Sequence, residues 1–329
     1  MKKVVLSICL IFLITALVPM PSIAGEIELK LASWGPTEHF VAQARNEWIA
    51  EVNKALAGKL KIQDFPGGQL YGPSDVHKAI AKGQVDMGVV LQPAMLAMVP
   101  VAQGVYLPFA YDGWEKVSRA YSGESLAIIE KAMEKKRLKL IYVSYTDPAH
   151  IFSSKGSLNK VEDFKGLRVL TTSPMFTEIM AALGAAPDAT TPLTEQYMAL
   201  KRGVSDSIAN STVNGFFQKS FEVAPYLTKA NMSYATVLVC MNLNKWNSLP
   251  KDVQETLLKS RETVTPKTLA MAQGWEAKFT EEIKKAGGTV TTMPAEERTK
   301  IVNVSKAIWA KWAKDNGKDA ERLLEINLK

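Results

Sequence analysis

Hydrophobic and polar positions along the chain alternate between two spacings. Short stretches rich in aliphatic residues predict β-strands, namely IELKLASW, LKIQDF, VDMGVVL, LKLIYVSY, LRVLTT, VSDSIAN, YATVLVCMN and GTVTTM. Between them, apolar residues recur at helical spacing in FVAQARNEWIAEVNKAL, SDVHKAIAKG, SLAIIEKAMEKKR, SPMFTEIMAALG and LTEQYMALKRG. Gly83, Gly184 and Gly203 follow three of these helices, where a left-handed residue commonly ends a helix. This alternation of strands and helices predicts an α/β architecture.

Two segments share one pattern, AIAKGQVDMGVV (79–90) and ALKRGVSDSIAN (199–210). Each consists of a helix end, a basic residue, glycine, two residues, aspartate and then a strand. A strand that ends in a turn precedes each segment. Junctions between helix, glycine and strand are common in α/β proteins, but the shared Gly-x-x-Asp spacing favours two similar lobes that each use this unit once.

The last third of the chain is predominantly helical. The pattern predicts one long helix over 251–273, which Pro266 should kink or interrupt, followed by a further helical run to Ala286 and a short strand. A final helix, AEERTKIVNVSKAIWAKWAKDNG, carries Trp309 and Trp312 on one face. We interpret these two indoles as packing residues.

The N-terminus has the layout of a secretory signal peptide. Two lysines precede an uncharged apolar run over 4–18, and the small-x-small ending Ser22-Ile23-Ala24 predicts cleavage after Ala24 and export to the periplasm. An uncleaved membrane anchor is disfavoured, because a membrane span needs about 20 apolar residues. Cys9 lies inside the apolar run, which argues against a lipoprotein.

Cleavage would lower the formal charge from +7 to +5 by removing two lysines. The remaining lysines are interspersed with acidic residues, which is typical of a solvated surface and argues against a nucleic-acid partner. Cys240 is then the one remaining cysteine, so no intramolecular disulfide can form, and its apolar neighbours predict a buried position. A mature length of roughly 300 residues is typical of about two domains.

No pattern in the sequence indicates catalysis. The three histidines, His39, His77 and His150, are not in metal-ligand spacing with one another or with a cysteine. A nucleophile elbow, a phosphate-binding glycine loop and a dinucleotide fingerprint are all missing. We therefore predict no enzyme activity, no cofactor and no bound metal, with an exported enzyme of unfamiliar constellation as the alternative. Two lobes without catalytic residues favour a binding protein that closes on a small molecule.

Several stretches resemble the solute-binding proteins of tripartite ATP-independent periplasmic (TRAP) transporters. They occur in that family's order and spacing: IELKLASW, FPGGQLYGPSDVHKAIAKGQVDM, VYLPFAYDGWE, EDFKGLRV, ALGAAPDATTPLTEQYMALKRGVSDSIAN, EVAPYLT and NLNKWNSLPKDVQETL. The resemblance implies two α/β lobes spanned by a long helix, with a small organic solute enclosed between them. It also implies TRAP membrane subunits as partners and a monomeric protein. We assign 25–147 with 236–275 to lobe I, and 148–235 with 276–329 to lobe II.

The stretch DFKGLRVLTTSP (163–174) departs from the family pattern. In the family, the strand after the glycine reads Lys-x-Arg, and the arginine binds the carboxylate of the ligand. Aligned on Gly166, Arg168 takes the lysine position and Leu170 takes the arginine position. A second arginine of some members falls at His150, which either contacts the ligand or is an ordinary polar residue at the lobe junction. We interpret Arg168 as a surface residue, so the charge is lost or moved.

Alignment with the family also gives the predicted binding residues. They are Trp34, His39, Leu91, Gln92, His150, Phe152, Arg168, Leu170, Thr171, Thr172, Leu193, Asn210, Asn214 and Phe217. The predicted pocket is apolar and aromatic with a few uncharged hydrogen-bonding groups. It favours an organic acid with unusual coordination; the alternatives are an uncharged or aromatic solute stacked on Trp34, and a ligand-sensing subunit of a signalling system.

Overall fold

A computed structural model describes residues 25–35, 37–171 and 173–329. The predicted signal peptide and Thr172 lie outside these residues. The strands are β1 (Ile27–Ala32), β2 (Leu60–Phe65), β3 (Met87–Leu91), β4 (Leu138–Tyr145), β5 (Ala149–Ser153), β6 (Arg168–Leu170), β7 (Ala186–Asp188), β8 (Ser207–Ser211), β9 (Tyr226–Ser233), β10 (Thr236–Asn242) and β11 (Thr289–Thr292).

Helices connect and cover these strands. They are α1 (Phe40–Ala55), α2 (Val76–Lys82), α3 (Gln92–Met95), α4 (Trp114–Ala120), α5 (Gly123–Glu134), α6 (Pro174–Ala182), α7 (Gln196–Lys201), α8 (Thr212–Phe217), α9 (Ser220–Val223), α10 (Leu243–Ser248), α11 (Lys251–Lys259), α12 (Arg261–Lys285), α13 (Ala295–Asn316) and α14 (Lys318–Asn327). Short 3₁₀ helices lie at Pro100–Val105, Val161–Phe164 and Leu193–Glu195.

The strands form two sheets, one in each lobe. The first has the order β2-β1-β3-β10-β4, and the second has the order β11-β9-β5-β8-β6-β7. In the first sheet β10 runs antiparallel to β3 and β4, and in the second β5 runs antiparallel to β8 and β9. The remaining pairs are parallel, as expected for strands joined through helices. The predicted two-lobed α/β architecture is therefore confirmed.

The two Gly-x-x-Asp segments form equivalent units. Gly83 and Gly203 both follow a helix with positive φ, 73° and 66°. The aspartate of each unit accepts a backbone N–H from the neighbouring parallel strand. Asp86 accepts from Lys30 at 2.9 Å, and Asp206 accepts from Arg168 at 3.2 Å. Each aspartate thereby fixes the register between its strand and the preceding one.

Three segments connect the lobes. Residues 146–148 lead from β4 to β5, and residues 234–235 lead from β9 back to β10. The hydroxyl of Thr146 donates to the carbonyl oxygen of Ala235 at 2.7 Å, which ties these two crossings together. The third connection is α12, which packs on β4 and α1 of the first lobe and on α8 and β11 of the second.

The spanning helix differs in its bounds from the prediction. The predicted helix over 251–273 is divided after Lys259, and the break lies at Ser260. The Ser260 hydroxyl accepts the indole N–H of Trp48 at 2.7 Å, so this junction is held against α1. Pro266 lies within α12 and does not end it.

The C-terminal helices contact both lobes. Helix α13 packs on α6 of the second lobe, whereas α14 packs on α4 and α5 of the first. The predicted division, with all of 276–329 in lobe II, stays a prediction. Trp309 is fully buried, and its indole donates to the carbonyl oxygen of Pro108 at 3.1 Å, which confirms its packing role. Cys240 is also fully buried, as predicted. Across the described ranges, no helix combines the length and the apolarity that a membrane span requires.

Candidate ligand-binding site

A cavity of about 430 Å³ lies between the lobes. A volume of this size is typical of small-molecule sites. Residues of the first lobe that line it include Trp34, His39, Val41, Arg45, Val89, Leu91 and Tyr106. The crossing segments contribute Thr146, Asp147 and Ala235. The second lobe contributes Ala149, Thr171, Thr190, Thr191, Gln196, Asn210, Ser211, Asn214, Gln218 and Ser233.

Trp34 lies two residues after β1, and its indole lines the cavity. Its N–H donates to the carbonyl oxygen of Val89 on β3 at 2.6 Å, which fixes the plane of the ring. Because that bond uses the polar edge of the indole, the ring offers an apolar surface for stacking.

His39 is the N-cap of α1 and also lines the cavity. Its Nδ1 accepts the backbone N–H of Val41 at 3.2 Å, so the proton of the neutral ring lies on Nε2. Burial lowers the pKa of His39 to about 4, which keeps the ring uncharged at neutral pH. The imidazole belongs to an aromatic cluster, with ring centroids 4.6 Å from Phe40, 5.9 Å from Phe217 and 6.1 Å from Trp275.

Arg45 lies one and a half turns further along α1. Its side chain is buried, and its guanidinium donates to Asp64 at 2.8 Å. Asp64 also accepts the hydroxyl of Ser33 at 2.7 Å. The charge of Arg45 is therefore balanced within the first lobe, while the residue still forms part of the cavity wall.

Asp147 lies in the crossing between β4 and β5. It is 1% exposed, and its Oδ2 accepts the backbone N–H of Val213 on α8 at 2.9 Å. Burial raises the pKa of Asp147 to about 7, against the opposing effect of hydrogen bonds from Val213 and Ser211. A carboxyl group with this pKa changes its protonation state near neutral pH.

The wall from the second lobe consists of hydroxyl and amide groups. Thr171 follows β6, and its hydroxyl lies 2.7 Å from that of Thr177. Asn210 is the last but one residue of β8; its amide donates to Gln218 at 2.8 Å, and its oxygen accepts the N–H of Ser211 at 2.9 Å. Hydrogen bonds from Thr191 and Thr190 lower the pKa of nearby Asp188 to about 2, so this loop is held by an ionised carboxylate.

Six predicted binding residues lie together on the cavity wall: Trp34, His39, Leu91, Thr171, Asn210 and Asn214. Phe217 packs behind His39 in the aromatic cluster. Leu193 begins a short 3₁₀ helix beside the wall residue Pro192.

Five predicted residues lie elsewhere in the fold. Leu170 and Phe152 are fully buried in one core cluster of the second lobe. Gln92 is also buried, and its oxygen accepts the hydroxyls of Tyr121 at 2.5 Å and Thr236 at 3.1 Å. These three side chains contribute to packing and to internal hydrogen bonds, since none of them reaches the cavity wall.

His150 and Arg168 are both engaged by other protein groups. His150 is fully buried; its Nδ1 accepts two backbone N–H groups at 3.3 Å, and its Nε2 lies 3.2 Å from Glu276 on α12. Burial lowers its pKa, so a neutral imidazole joins β5 to the spanning helix. Arg168 is 45% exposed and makes a bidentate pair with Asp206, at 2.8 and 2.6 Å. This placement agrees with the interpretation of Arg168 as a surface residue.

Two charged wall residues were missed by the prediction. The sequence pattern could have identified Arg45. It shares one face of α1 with three apolar residues, Val41, Trp48 and Val52. A charged residue on such a face is either paired or functional. Asp147 lies in YTDPAH, directly after a buried strand, where binding residues commonly occur.

In the described part of the chain, no cluster of histidine, cysteine and acidic residues has the geometry to bind a metal.

Comparison with known proteins gives a match over most of the chain. The model of "Bacterial extracellular solute-binding protein, family 7" matches residues 31–315. The C4-dicarboxylate-binding periplasmic protein DctP of Vibrio cholerae is 28% identical over 308 residues, which is 93% of this chain and 92% of that protein.

Two solved structures share the fold. A TRAP periplasmic solute-binding protein from Desulfovibrio salexigens with bound orotic acid has a TM-score of 0.85 and 22% identity, covering 92% of this chain and 97% of that one. A TRAP periplasmic solute-binding protein from Roseobacter denitrificans with bound β-D-glucuronate has a TM-score of 0.85 and 20% identity, covering 92% and 99%.

Proposed function

Since the chain belongs to the bacterial extracellular solute-binding proteins of family 7, we propose that it binds a small organic acid between its lobes and delivers it to TRAP membrane subunits. The observation that supports this most directly is the cavity, whose wall combines groups from both lobes and from the crossings between them. The similar proteins named above bind a dicarboxylate, orotic acid and a sugar acid, which are all organic acids.

Binding would work by a shift between open and closed forms. A solute that contacts groups of both lobes favours the closed form by its differential affinity for the two forms. Residues 146–148 and 234–235 and helix α12 are the segments about which the lobes would rotate. The membrane subunits would then recognise the closed form. The protein acts as a periplasmic monomer after cleavage behind Ala24, and it carries out no chemical step on the solute.

The first experiment is thermal unfolding of ligand-stripped mature protein against a panel of organic acids and their uncharged isosteres. A ligand that binds only the folded state raises its stability by RT ln(1 + [L]/Kd). We expect a concentration-dependent rise in Tm with acids, together with a smaller radius of gyration in small-angle scattering. A rise confined to the uncharged isosteres would contradict the proposed class of solute.

Two truncations test the placement of the site. Trp34→Ala removes the stacking surface of the first lobe, and Asn210→Ala removes an amide of the second lobe. We expect each to weaken binding about tenfold, which corresponds to ~1.4 kcal/mol, in isothermal titration calorimetry. Asn303→Ala, on an exposed position of α13, is the matched control and should bind like the wild type. Unchanged affinity in both cavity variants would place the site elsewhere.

A further inference from the structure

Three residues of the cavity wall each keep a buried polar atom without a hydrogen-bond partner among the residues described. These atoms are Nε2 of His39, Nε of Arg45 and Oδ1 of Asp147. The three residues are 8%, 2% and 1% exposed, respectively. A buried polar group that lacks a partner is destabilising, and most such groups in proteins are paired. Three of them on one cavity wall point to a ligand that pairs with them.

The two nitrogens are hydrogen-bond donors on the same helix. Because Nδ1 of His39 accepts from Val41, Nε2 carries the proton and can only donate. The Nε of Arg45 is a donor in every protonation state of the protein. His39 also caps the N-terminus of α1, where the first turn carries partial positive charge. This side of the cavity therefore suits a carboxylate or a carbonyl oxygen.

Asp147, by contrast with the two donors, offers the cavity a hydrogen-bond acceptor, its Oδ1. Its Oδ2 is bound by Val213, which leaves Oδ1 for a ligand. Arg45 does not neutralise Asp147, because the guanidinium is paired with Asp64 at 2.8 Å. The other charged group that influences Asp147 is Glu276, which has the same sign and raises its pKa further. A ligand that brings a positive charge to Asp147 is favoured here, and one that brings a second carboxylate is repelled.

We infer that the solute is a small carboxylic acid that also carries an amino group, with its carboxylate on His39 and Arg45 and its ammonium group on Asp147. This inference rests on the proposed function and narrows its class of solute, since it excludes simple dicarboxylates and sugar acids as the best ligands. One end of such a molecule contacts α1 of the first lobe. The other end contacts a crossing segment that is bound to α8 of the second lobe, so the amino acid stabilises the closed form from both sides.

The decisive test compares pairs of solutes on the wild-type protein. The panel contains α-, β- and γ-amino acids, each beside the carboxylic acid that lacks only the amine, with succinate as the dicarboxylate. We expect at least one amino acid to bind and its amine-free counterpart to bind at least 10-fold more weakly in isothermal titration calorimetry. Equal or tighter binding of the amine-free acid, or of succinate, overturns the inference while leaving the proposed function intact. No binding by any amino acid or by any acid of the broader panel overturns the proposed function itself.

Asp147→Asn tests the role of the carboxylate, since asparagine keeps an oxygen for the N–H of Val213. We expect it to weaken amino acid binding by about 10- to 100-fold, as a hydrogen bond to a charged partner is among the stronger ones. Asp206→Asn is the matched control, because Asp206 pairs with Arg168 away from the cavity, and its affinity should be unchanged. If Asp147→Asn does not fold, the paired solutes decide the question on the wild type alone.

The pH dependence separates a direct contact from a merely structural one. Since the pKa of Asp147 is about 7, its ionised form decreases below that pH, and wild-type affinity for the amino acid should fall between pH 8 and pH 6. Of the groups around Asp147, Ser211 and the Val213 amide do not titrate in this range, and the pKa of Glu276 is lowered by hydrogen bonds from His150 and Lys229 that outweigh its burial. Asp147→Asn should bind with no such slope. An unchanged slope in this variant overturns the assignment of the ammonium group to Asp147.

Discussion

The two lobes share a framework and differ in the chemistry that they present to the cavity. In each, a strand, a helix and a Gly-x-x-Asp segment form the same unit, with the aspartate bound to the backbone of the neighbouring strand. The first lobe then places an indole, an imidazole and a guanidinium on the wall, whereas the second places hydroxyl and amide groups there. Different positions therefore carry the two roles. Residues within the shared unit build the framework, whereas residues of strand ends, loops and neighbouring helices supply the groups on the cavity wall.

The comparison also explains Leu170. By strand register, Ala32 lies beside Gly88 in the first lobe, and Leu170 lies beside Ile208 in the second. Ala32 and Leu170 are therefore equivalent positions, and both are fully buried. The position that aligns with the family arginine is a core position in this chain, so its leucine indicates packing rather than an altered contact with the ligand.

The largest expected effect is that of Leu170→Arg. A guanidinium at this position would be buried in the apolar cluster of Phe152, Ile208 and Leu227. We expect the free energy of unfolding in urea to fall by about 3–5 kcal/mol, the usual cost of an uncompensated buried charge. The volume-conserving Leu170→Met is the control and should cost less than about 1.5 kcal/mol. A stable arginine variant that gains affinity for simple carboxylates would show instead that this side chain reaches the cavity.

A smaller effect is expected from Gly88→Ala. A Cβ at this position would lie 2.5 Å from a methyl of Val76 and 3.0 Å from Ile80, both on α2. We expect about 1–3 kcal/mol of destabilisation from overpacking, measured by urea unfolding. Gly72→Ala, where no atom lies within 4 Å of the added methyl, should leave stability nearly unchanged. Equal stability of the two variants would mean that α2 can move away from β3, and that a glycine is not required at position 88 beside Ala32.

The smallest expected effect is a difference in Tm between variants of Asp86 and Asp206, the aspartates of the two Gly-x-x-Asp segments. Asp206 binds Arg168 through two side-chain bonds, whereas Asp86 lies 4.0 Å from Lys245. We therefore expect Asp206→Asn to lower Tm at pH 7 by about 2 °C, and Asp86→Asn to lower it by less.

The pH dependence of Asp206→Asn follows from the sign of the shift. Hydrogen bonds from Arg168 lower the pKa of Asp206 below its ordinary value of 3.8. A lowered pKa contributes stability above the unfolded-state value and loses it as the pH falls through the folded-state value. The Tm values of wild type and variant should therefore converge as the pH falls below 3.8. A difference in Tm that stays constant down to pH 2.5 would assign the effect to the neutral hydrogen bonds alone.

Much of the framework could be predicted from the sequence. The stretches LKIQDF and LKLIYVSY coincide with β2 and β4, because their apolar patterns are strong and their ends are well marked. Strands β5, β7 and β9 were missed. The sequence of β9 contains Lys229 and Asn231, and Asn231 adopts a φ of 45°, so neither composition nor backbone is typical of a strand. Its pairing with β5 depends on distant contacts that local patterns do not contain.

The predicted binding residues remain a prediction, and the structure shows which of them line the cavity and which do not. Trp34 lies two residues after β1, Asn210 lies near the end of β8, and both line the cavity. For His150 the sequence left a ligand contact and a polar residue at the lobe junction as alternatives, and only the fold shows that Glu276 and two backbone N–H groups engage its ring nitrogens. Asp147 acquires its properties from burial against α8, which the local sequence does not reveal.

The exchange of strands between the sheets has a consequence for biosynthesis. Strand β10 separates β3 from β4, yet it follows the entire β5–β9 region in the chain. A nascent chain that ends at Ser233 therefore leaves the facing edges of β3 and β4 without the strand that joins them. Such edges readily pair with other chains, and contacts between distant segments form slowly. Until residue 242 has been synthesised, a partly folded first lobe therefore exposes these two edges to pairing with other chains.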